Sequence, residues 1–290
     1  MFKKQIAKTV ALGLIALAAG AANAGVSYNL AVGGAIGNVA FDDFDWADNG
    51  AAWVNNFQGG VGPTLGIGSS FDLYYIAKAS AVTNLGNTTL SFIGQNVTDG
   101  TSLQKGELTI FAHITETITN VGVNASGKAY ADFVVTGGRW DIYLDSAANA
   151  SLVTGTGFQD GARILGGVFV PNVAGTFTNL NGTPGTVGAD GSGSNSLKGV
   201  VDYTDLAYIT PDMTGNGTIA TTTLQYGLTA GSWVRPTGFE GLAGYPASDS
   251  PASFTLRADA NQNFVPEPTS MALLGLGFAA LSGIRRRNKA

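Results

Sequence analysis

The chain has 290 residues, no cysteine and a single histidine, His113. A thiol nucleophile, a thiolate metal site and a metal site with several histidine ligands are therefore excluded. The formal net charge is −5, and seven of the fifteen Lys and Arg residues lie in the first eight and last six positions. The body between them is strongly acidic. This argues against a nucleic-acid partner, because phosphate binding needs clustered basic side chains.

The first 24 residues have the three parts of a secretory signal peptide. A basic start, an apolar middle and a small-x-small cleavage site follow one another: Lys3, Lys4 and Lys8; residues 10–19; Ala22, Ala24 and Gly25. We therefore expect a helical signal peptide at 1–24, export through the Sec machinery and a mature chain that begins at Gly25.

Residues 25–264 are predicted to form one all-β domain. Residues 109–118 alternate, with Ile110, Ala112, Ile114 and Ile118 on one face. Further strands are predicted at 71–79, 90–94, 129–135, 139–144, 163–170, 218–228 and 253–258. No part of the body keeps a 3.6-residue apolar period, so the pattern favours a β-sandwich or a jelly-roll.

Turns and loops are predicted where Gly, Asn, Pro and Ser cluster. Turn signals lie at 124–127, 137–138, 181–182 and 216–217. Residues 183–196 are rich in Gly, Ser and Thr, and this composition predicts a flexible surface loop inside the domain.

Four aspartates close to one another form a candidate Ca²⁺ site, because Ca²⁺ prefers several carboxylate oxygens: Asp42, Asp43, Asp45 and Asp48. Their spacing does not fit an EF-hand loop. The alternative is a solvated acidic loop that Phe41, Phe44 and Trp46 anchor to the core. No other cofactor is expected.

The sequence carries no catalytic motif, and we expect a protein that is not an enzyme. Glycoside hydrolysis needs two carboxylates across a cleft, and the pairs available are Asp141 with Asp145 and Asp202 with Asp205. His113 has no partner motif, and a Gly-x-Ser-x-Gly elbow is absent. Aromatic side chains could stack on sugar rings, although aromatics usually belong to a core: Trp46, Trp53, Tyr74, Tyr75, Trp233 and Tyr245.

The C-terminal 26 residues have three parts in a fixed order. Val265, Pro266, Glu267 and Pro268 predict an extended, unpaired peptide, because proline removes backbone donors and restricts the preceding residue. The apolar run 271–284 predicts a short transmembrane helix. Arg285, Arg286 and Arg287 follow, and they predict a cytoplasmic C-terminus.

This tail resembles the PEP-CTERM sorting signal of exported Gram-negative proteins. The resemblance covers 265–287 and implies recognition by an exosortase, a membrane enzyme. It further implies transient residence in the inner membrane and delivery to the cell surface or to an extracellular matrix.

Parts of the body, 135–145, 152–161, 199–213 and 254–264, resemble flocculation-associated PEP-CTERM proteins. That resemblance implies a structural role in floc or biofilm formation with exopolysaccharide, and it supplies no catalytic residues. The alternative expectation is a carbohydrate-binding or polysaccharide-processing protein on the same framework.

Overall fold

The computed structural model describes residues 28–33, 37–55, 66–91, 106–152, 154–179, 191–215, 217–227 and 254–266. They contain thirteen β-strands and no α-helix, which confirms the all-β class. The strands are β1 (Tyr28–Gly33), β2 (Gly37–Phe41), β3 (Asp43–Asn55), β4 (Ser70–Asn84), β5 (Asn87–Ser91), β6 (Glu107–Val123), β7 (Ala129–Asp145), β8 (Ala162–Phe169), β9 (Ala174–Asn179), β10 (Gly191–Thr204), β11 (Ile209–Thr210), β12 (Ile219–Gly227) and β13 (Phe254–Val265). The predicted signal peptide, its cleavage site at Ala22, Ala24 and Gly25, and the tail beyond Pro266 lie outside the described residues.

Ten strands form one antiparallel sheet that closes on itself. The order is β12, β13, β3, β4, β6, β7, β8 and β10, and β10 pairs again with β12. The strands β8 and β9 share one place in this ring, because each pairs with a different half of β7 and of β10. The sequence predicts a sandwich or a jelly-roll, and the structure differs in joining the strands into one continuous closed sheet.

The inner face of the ring is the main hydrophobic core. In β6 the alternate residues Leu108, Ile110, Ala112, Ile114 and Ile118 are buried there, as the alternation predicts. A three-stranded sheet of β11, β1 and β2 adds its apolar side chains to the same core. Tyr28 to Val265 form one compact unit.

Strand β7 corrects the prediction of a turn at Gly137-Gly138. The strand runs through both glycines and pairs with β6 along its whole length, with a register shift at this point. Gly138 has φ of 127°, and a Cβ there would collide with the carbonyl oxygen of His113. Gly138 therefore allows a bulge within one strand rather than a reversal of the chain.

Two predicted loops are at least partly strand. The acidic segment belongs to β3, where Phe44 and Trp46 are buried as predicted anchors and Asp43 and Asp45 lie on the opposite face. Residues 191–196 of the predicted flexible loop belong to β10, and residues 183–190 lie outside the described part. Cross-strand pairing outweighs the loop-like composition in both cases.

A second, smaller core lies on the outer face of β3, β4 and β6. It contains Trp53, Tyr74, Ile76 and Phe111. Residues 146–161, here called the cover loop, pack Ala150 and Phe158 on these side chains. Hydrogen bonds attach the loop to β4 and β6: Asn149 and Ala150 N–H to Glu107 Oε1, Lys78 Nζ to Ala150 O, and Thr109 Oγ1 to Phe158 O.

No helix in the described ranges is long and apolar enough to span a membrane.

Candidate functional sites

The predicted sorting signal begins where β13 ends. Phe264 is buried in the inner core, and its N–H donates to the carbonyl oxygen of Asp42 at 2.7 Å. Val265 is the last residue of the ladder and pairs with Ile219. Pro266 has no N–H and cannot continue that ladder. Of the predicted sorting residues, Glu267, Pro268, Arg285, Arg286 and Arg287 lie outside the described residues.

An ion network lies on the outer face of β7, β8 and β10. We call it the arginine patch, and it consists of Arg139, Asp141, Arg163, Asp202 and Tyr203. Arg163 Nε donates to Asp141 Oδ1 at 2.8 Å, and its Nη2 forms an ion pair with the same oxygen at 2.6 Å. Arg139 donates to both oxygens of Asp141, and its Nη2 lies 3.7 Å from Asp202 Oδ1. One carboxylate therefore orients two guanidinium groups.

The geometry of the patch depends on the neighbouring strand. Gly166 in β8 pairs directly with Asp141, and a Cβ on Gly166 would collide with Arg163 Nη2 and with Asp141 Oδ1. The missing side chain lets Arg163 lie flat on the sheet, where its guanidinium carbon is 4.2 Å from the centre of the Tyr203 ring. This cation–π contact holds Arg163 from the other side.

His113 lies beside the patch, because it pairs with Arg139 across β6 and β7. Its ring stacks on Tyr74 with centroids 4.4 Å apart, and its Nε2 lies 2.8 Å from Asp72 Oδ1. The pKa of Asp72 is lowered, first by this hydrogen bond. His113 is thus a partnered residue of the outer face, and it shares Asp72 Oδ1 with the hydroxyl of Thr115.

The acidic segment at 42–48 is partly engaged in holding the fold. Asp42 Oδ2 accepts the N–H of Leu85, and Asp43 Oδ1 accepts the hydroxyl of Thr83. Burial raises the pKa of Asp43 to about 6, and the charges of Asp42 and Asp45 add to this. The described residues contain no group of three or more acidic or histidine side chains arranged to hold a metal ion, and the side chain of Asp48 lies outside them. The Ca²⁺ site remains a sequence-based prediction.

The inner core contains a polar group that the alternation pattern could have revealed. Glu116 takes an inward position of β6, between Ile114 and Ile118, and is completely buried. Its Oε1 accepts a hydrogen bond from Asn195 Nδ2, and Asn195 Oδ1 accepts one from Tyr226 OH. Burial raises the pKa of Glu116 to about 8. Its Oε2 has no hydrogen-bond partner. A cavity of about 10 Å³ lies beside Glu116.

The structure changes the pairing of the carboxylates that the sequence suggested as catalytic pairs, and it locates the predicted stacking aromatics. Asp141 is linked to Asp202 through Arg139, whereas Asp145 and Asp205 accept turn N–H groups of Ala147 and Ala207. The predicted stacking aromatics Trp46, Trp53, Tyr74 and Tyr75 are all buried in the two cores. Trp233 and Tyr245 lie outside the described residues. Sequence reasoning did not find Arg163 or Gly166, because they meet Asp141 only through strand pairing.

Comparison with known proteins agrees with the interpretation of the tail. The family model of the PEP-CTERM protein-sorting motif matches residues 264–287. No curated protein and no solved structure matches the chain. The chain therefore carries a PEP-CTERM sorting motif and is an exported, exosortase-processed protein of a Gram-negative cell.

Proposed function

We propose that this protein is a non-enzymatic structural component of the extracellular matrix, with a role in floc or biofilm formation with exopolysaccharide. The single observation that carries the proposal is the sorting motif at 264–287, which begins in the last two residues of β13. The motif explains why the protein is sorted after export, and the folded body is the part that reaches the cell surface.

Features of the body favour a structural role over polysaccharide processing. A general acid needs a carboxyl group that is free to give up a proton in the reaction, and Asp141 is bonded to two arginines. The cavity beside Glu116 has room for about one water molecule, far less than a small-molecule substrate occupies.

The proposed route to the surface has three steps. The Sec machinery exports the chain, and the signal peptide is cleaved after Ala24. The apolar run 271–284 then holds the protein in the inner membrane while Arg285, Arg286 and Arg287 remain on the cytoplasmic side. The exosortase finally acts on the extended peptide around Pro266, Glu267 and Pro268, and releases the body to the surface.

The route predicts that replacing Pro266 and Pro268 together with alanine blocks processing. The change restores two N–H groups and frees the extended geometry, but leaves the apolar run intact. The measurement is the ratio of processed surface protein to membrane-retained full-length protein. Pro171→Ala, on the surface of the body, is the matched control and should leave the ratio unchanged. Normal processing of the double variant would make a plain membrane anchor the better explanation.

The matrix role has its own test in the producing cell. Deletion of the gene should reduce floc formation, and the wild-type chain should restore it while the double proline variant should not. If flocs form normally without the protein, the matrix role is wrong and the sorting of the protein still stands.

A further inference from the structure

The arginine patch combines hydrogen-bond donors and an acceptor that the fold itself leaves unused. Arg139 and Arg163 bond to Asp141 only through Nε and Nη2, and neither Nη1 has a partner among the described residues. Asp202 accepts no hydrogen bond there, since its contact with Arg139 is 3.7 Å long. The Arg139, Arg163 and Asp202 side chains are 43%, 33% and 38% exposed, whereas Asp141 is only 13% exposed.

We propose that the arginine patch is a binding site for an uncharged saccharide. Each sugar hydroxyl can both donate and accept a hydrogen bond, so a pair of neighbouring hydroxyls needs a donor and an acceptor side by side. The outward guanidinium N–H groups are the donors, and the Asp202 carboxylate is the acceptor. The inference rests on the proposed matrix role, which makes an extracellular polysaccharide the available partner.

Charge favours a neutral saccharide over an anionic one. The two guanidinium groups are balanced by the carboxylates of Asp141 and Asp202, so the patch has no excess positive charge. The rest of the body is acidic and repels polyanions. An anionic polymer therefore finds neither a local nor a long-range attraction at this face.

The patch is held in place before any ligand binds. Asp141 fixes both guanidinium groups, Tyr203 packs on Arg163, and Gly166 leaves the space in which Arg163 lies. The paired strands β7, β8 and β10 underlie these contacts. Such preorganisation reduces the conformational entropy lost on binding. Exposed ion pairs contribute little to folding stability. The fixed geometry of the arginine patch is therefore better explained by ligand recognition than by stabilisation of the fold.

Two glycines of the same outer surface supply a matched test. Gly166→Ala forces the Arg163 guanidinium and the Asp141 carboxylate apart, whereas a Cβ at Gly137 meets nothing within 4 Å. Arg163→Lys keeps the positive charge but removes the planar, two-nitrogen donor. Together the three variants separate geometry, charge and general effects on the fold.

The experiment uses the processed protein recovered from the cell surface. An array of neutral hexose, N-acetylhexosamine and uronate oligosaccharides identifies a binder, whose affinity is then measured by calorimetry. We expect neutral oligosaccharides to bind, with affinity about tenfold lower for Gly166→Ala and Arg163→Lys and unchanged for Gly137→Ala. Binding should be similar at about 50 mM and about 500 mM salt. Thermal unfolding of each variant shows that the fold is retained.

Three results would overturn the saccharide site. One is an array without a neutral binder, and another is full affinity in a folded Gly166→Ala or Arg163→Lys protein. The third is binding confined to uronates and lost at high salt, which would define an anion site. None of these results touches the matrix role, since floc formation by the deletion strain tests that role separately.

Discussion

Glu116 is a completely buried carboxyl group on an inward position of β6. Burial raises its pKa to about 8 from 4.5, and the hydrogen bond from Asn195 opposes this only in part. The carboxyl group is therefore protonated in the folded protein at neutral pH. In the unfolded chain it is ionised under the same conditions, so stability and pH are linked through this residue.

The first prediction is that stability falls as pH rises between about 4.5 and about 8. Below this window Glu116 is protonated in both states, and its contribution is complete. Within the window the unfolded chain loses the proton first, and the free energy of unfolding decreases by up to about 1.4 kcal/mol per pH unit. Urea unfolding of the exported protein at a series of pH values measures the slope.

Glu116→Gln is the control for this prediction, because glutamine keeps an acceptor for Asn195 and cannot ionise. We expect the variant and the wild type to be similar near pH 4.5, with the variant increasingly the more stable as pH rises. Asp43, whose pKa is raised to about 6, adds to the slope of both proteins in the lower part of the window. Equal slopes for the two proteins between pH 6 and 8 would contradict the assignment to Glu116.

At the scale of elements, the cover loop allows the closed sheet to have a second hydrophobic core on its outer face, in addition to the main core on its inner face. The loop packs Phe158 on an outer surface that contains Trp53 and Phe111, and Glu107 binds two of its N–H groups. Without the loop, these large apolar side chains of β3 and β6 would be exposed on the closed sheet. The loop thus protects a surface that would otherwise favour aggregation.

The second prediction is that Phe158→Ala loosens the cover loop. Phe158 is buried, so its truncation should cost about 3 kcal/mol of unfolding free energy. It should also make the loop the first site of limited proteolysis. Leu206→Ala removes an exposed apolar side chain from a turn and should change stability by less than about 0.5 kcal/mol. Equal stability and equal protease resistance of the two variants would show that the loop does not depend on Phe158.

At the scale of the whole molecule, closure of the sheet leaves β12 without a free edge. It pairs with β10 on one side and with β13 on the other over the same residues. In an open sheet that ended at β12, every second backbone amide of this strand would face solvent. Closure therefore protects β10 and β12, each of which would have an unpaired edge in an open sheet.

The third prediction is that amide hydrogen exchange in β12 is as slow as in β6, a strand at the centre of the same ring. The internal comparison is β5, which pairs only with β4 among the described strands and should exchange faster. Mass spectrometry of peptic fragments from the exported protein resolves these strands. Fast exchange at alternate amides of 219–227 would mean that the ring opens between β10 and β12.

Much of the β content could be predicted from local pattern. The alternation in β6 and in residues 139–144 of β7 correctly predicts which side chains face the inner core. It does so because successive side chains of a strand point to opposite faces of the sheet. Predictions failed where composition resembled a loop. Gly137-Gly138 lies within β7, and the Gly- and Ser-rich residues 191–196 lie within β10, since ladder pairing with neighbouring strands of the sheet outweighs local preference.

The sequence by itself determined the export signal, because a sorting tail is recognised as a linear peptide. Its proline, apolar and arginine parts can be identified in order from the sequence. It also determined the all-β class through the alternation of its strands. Only the tertiary structure decided that the sheet closes through β10 and β12 and that Arg139, Asp141 and Arg163 meet. Both depend on the register between separate strands, which no single local segment specifies.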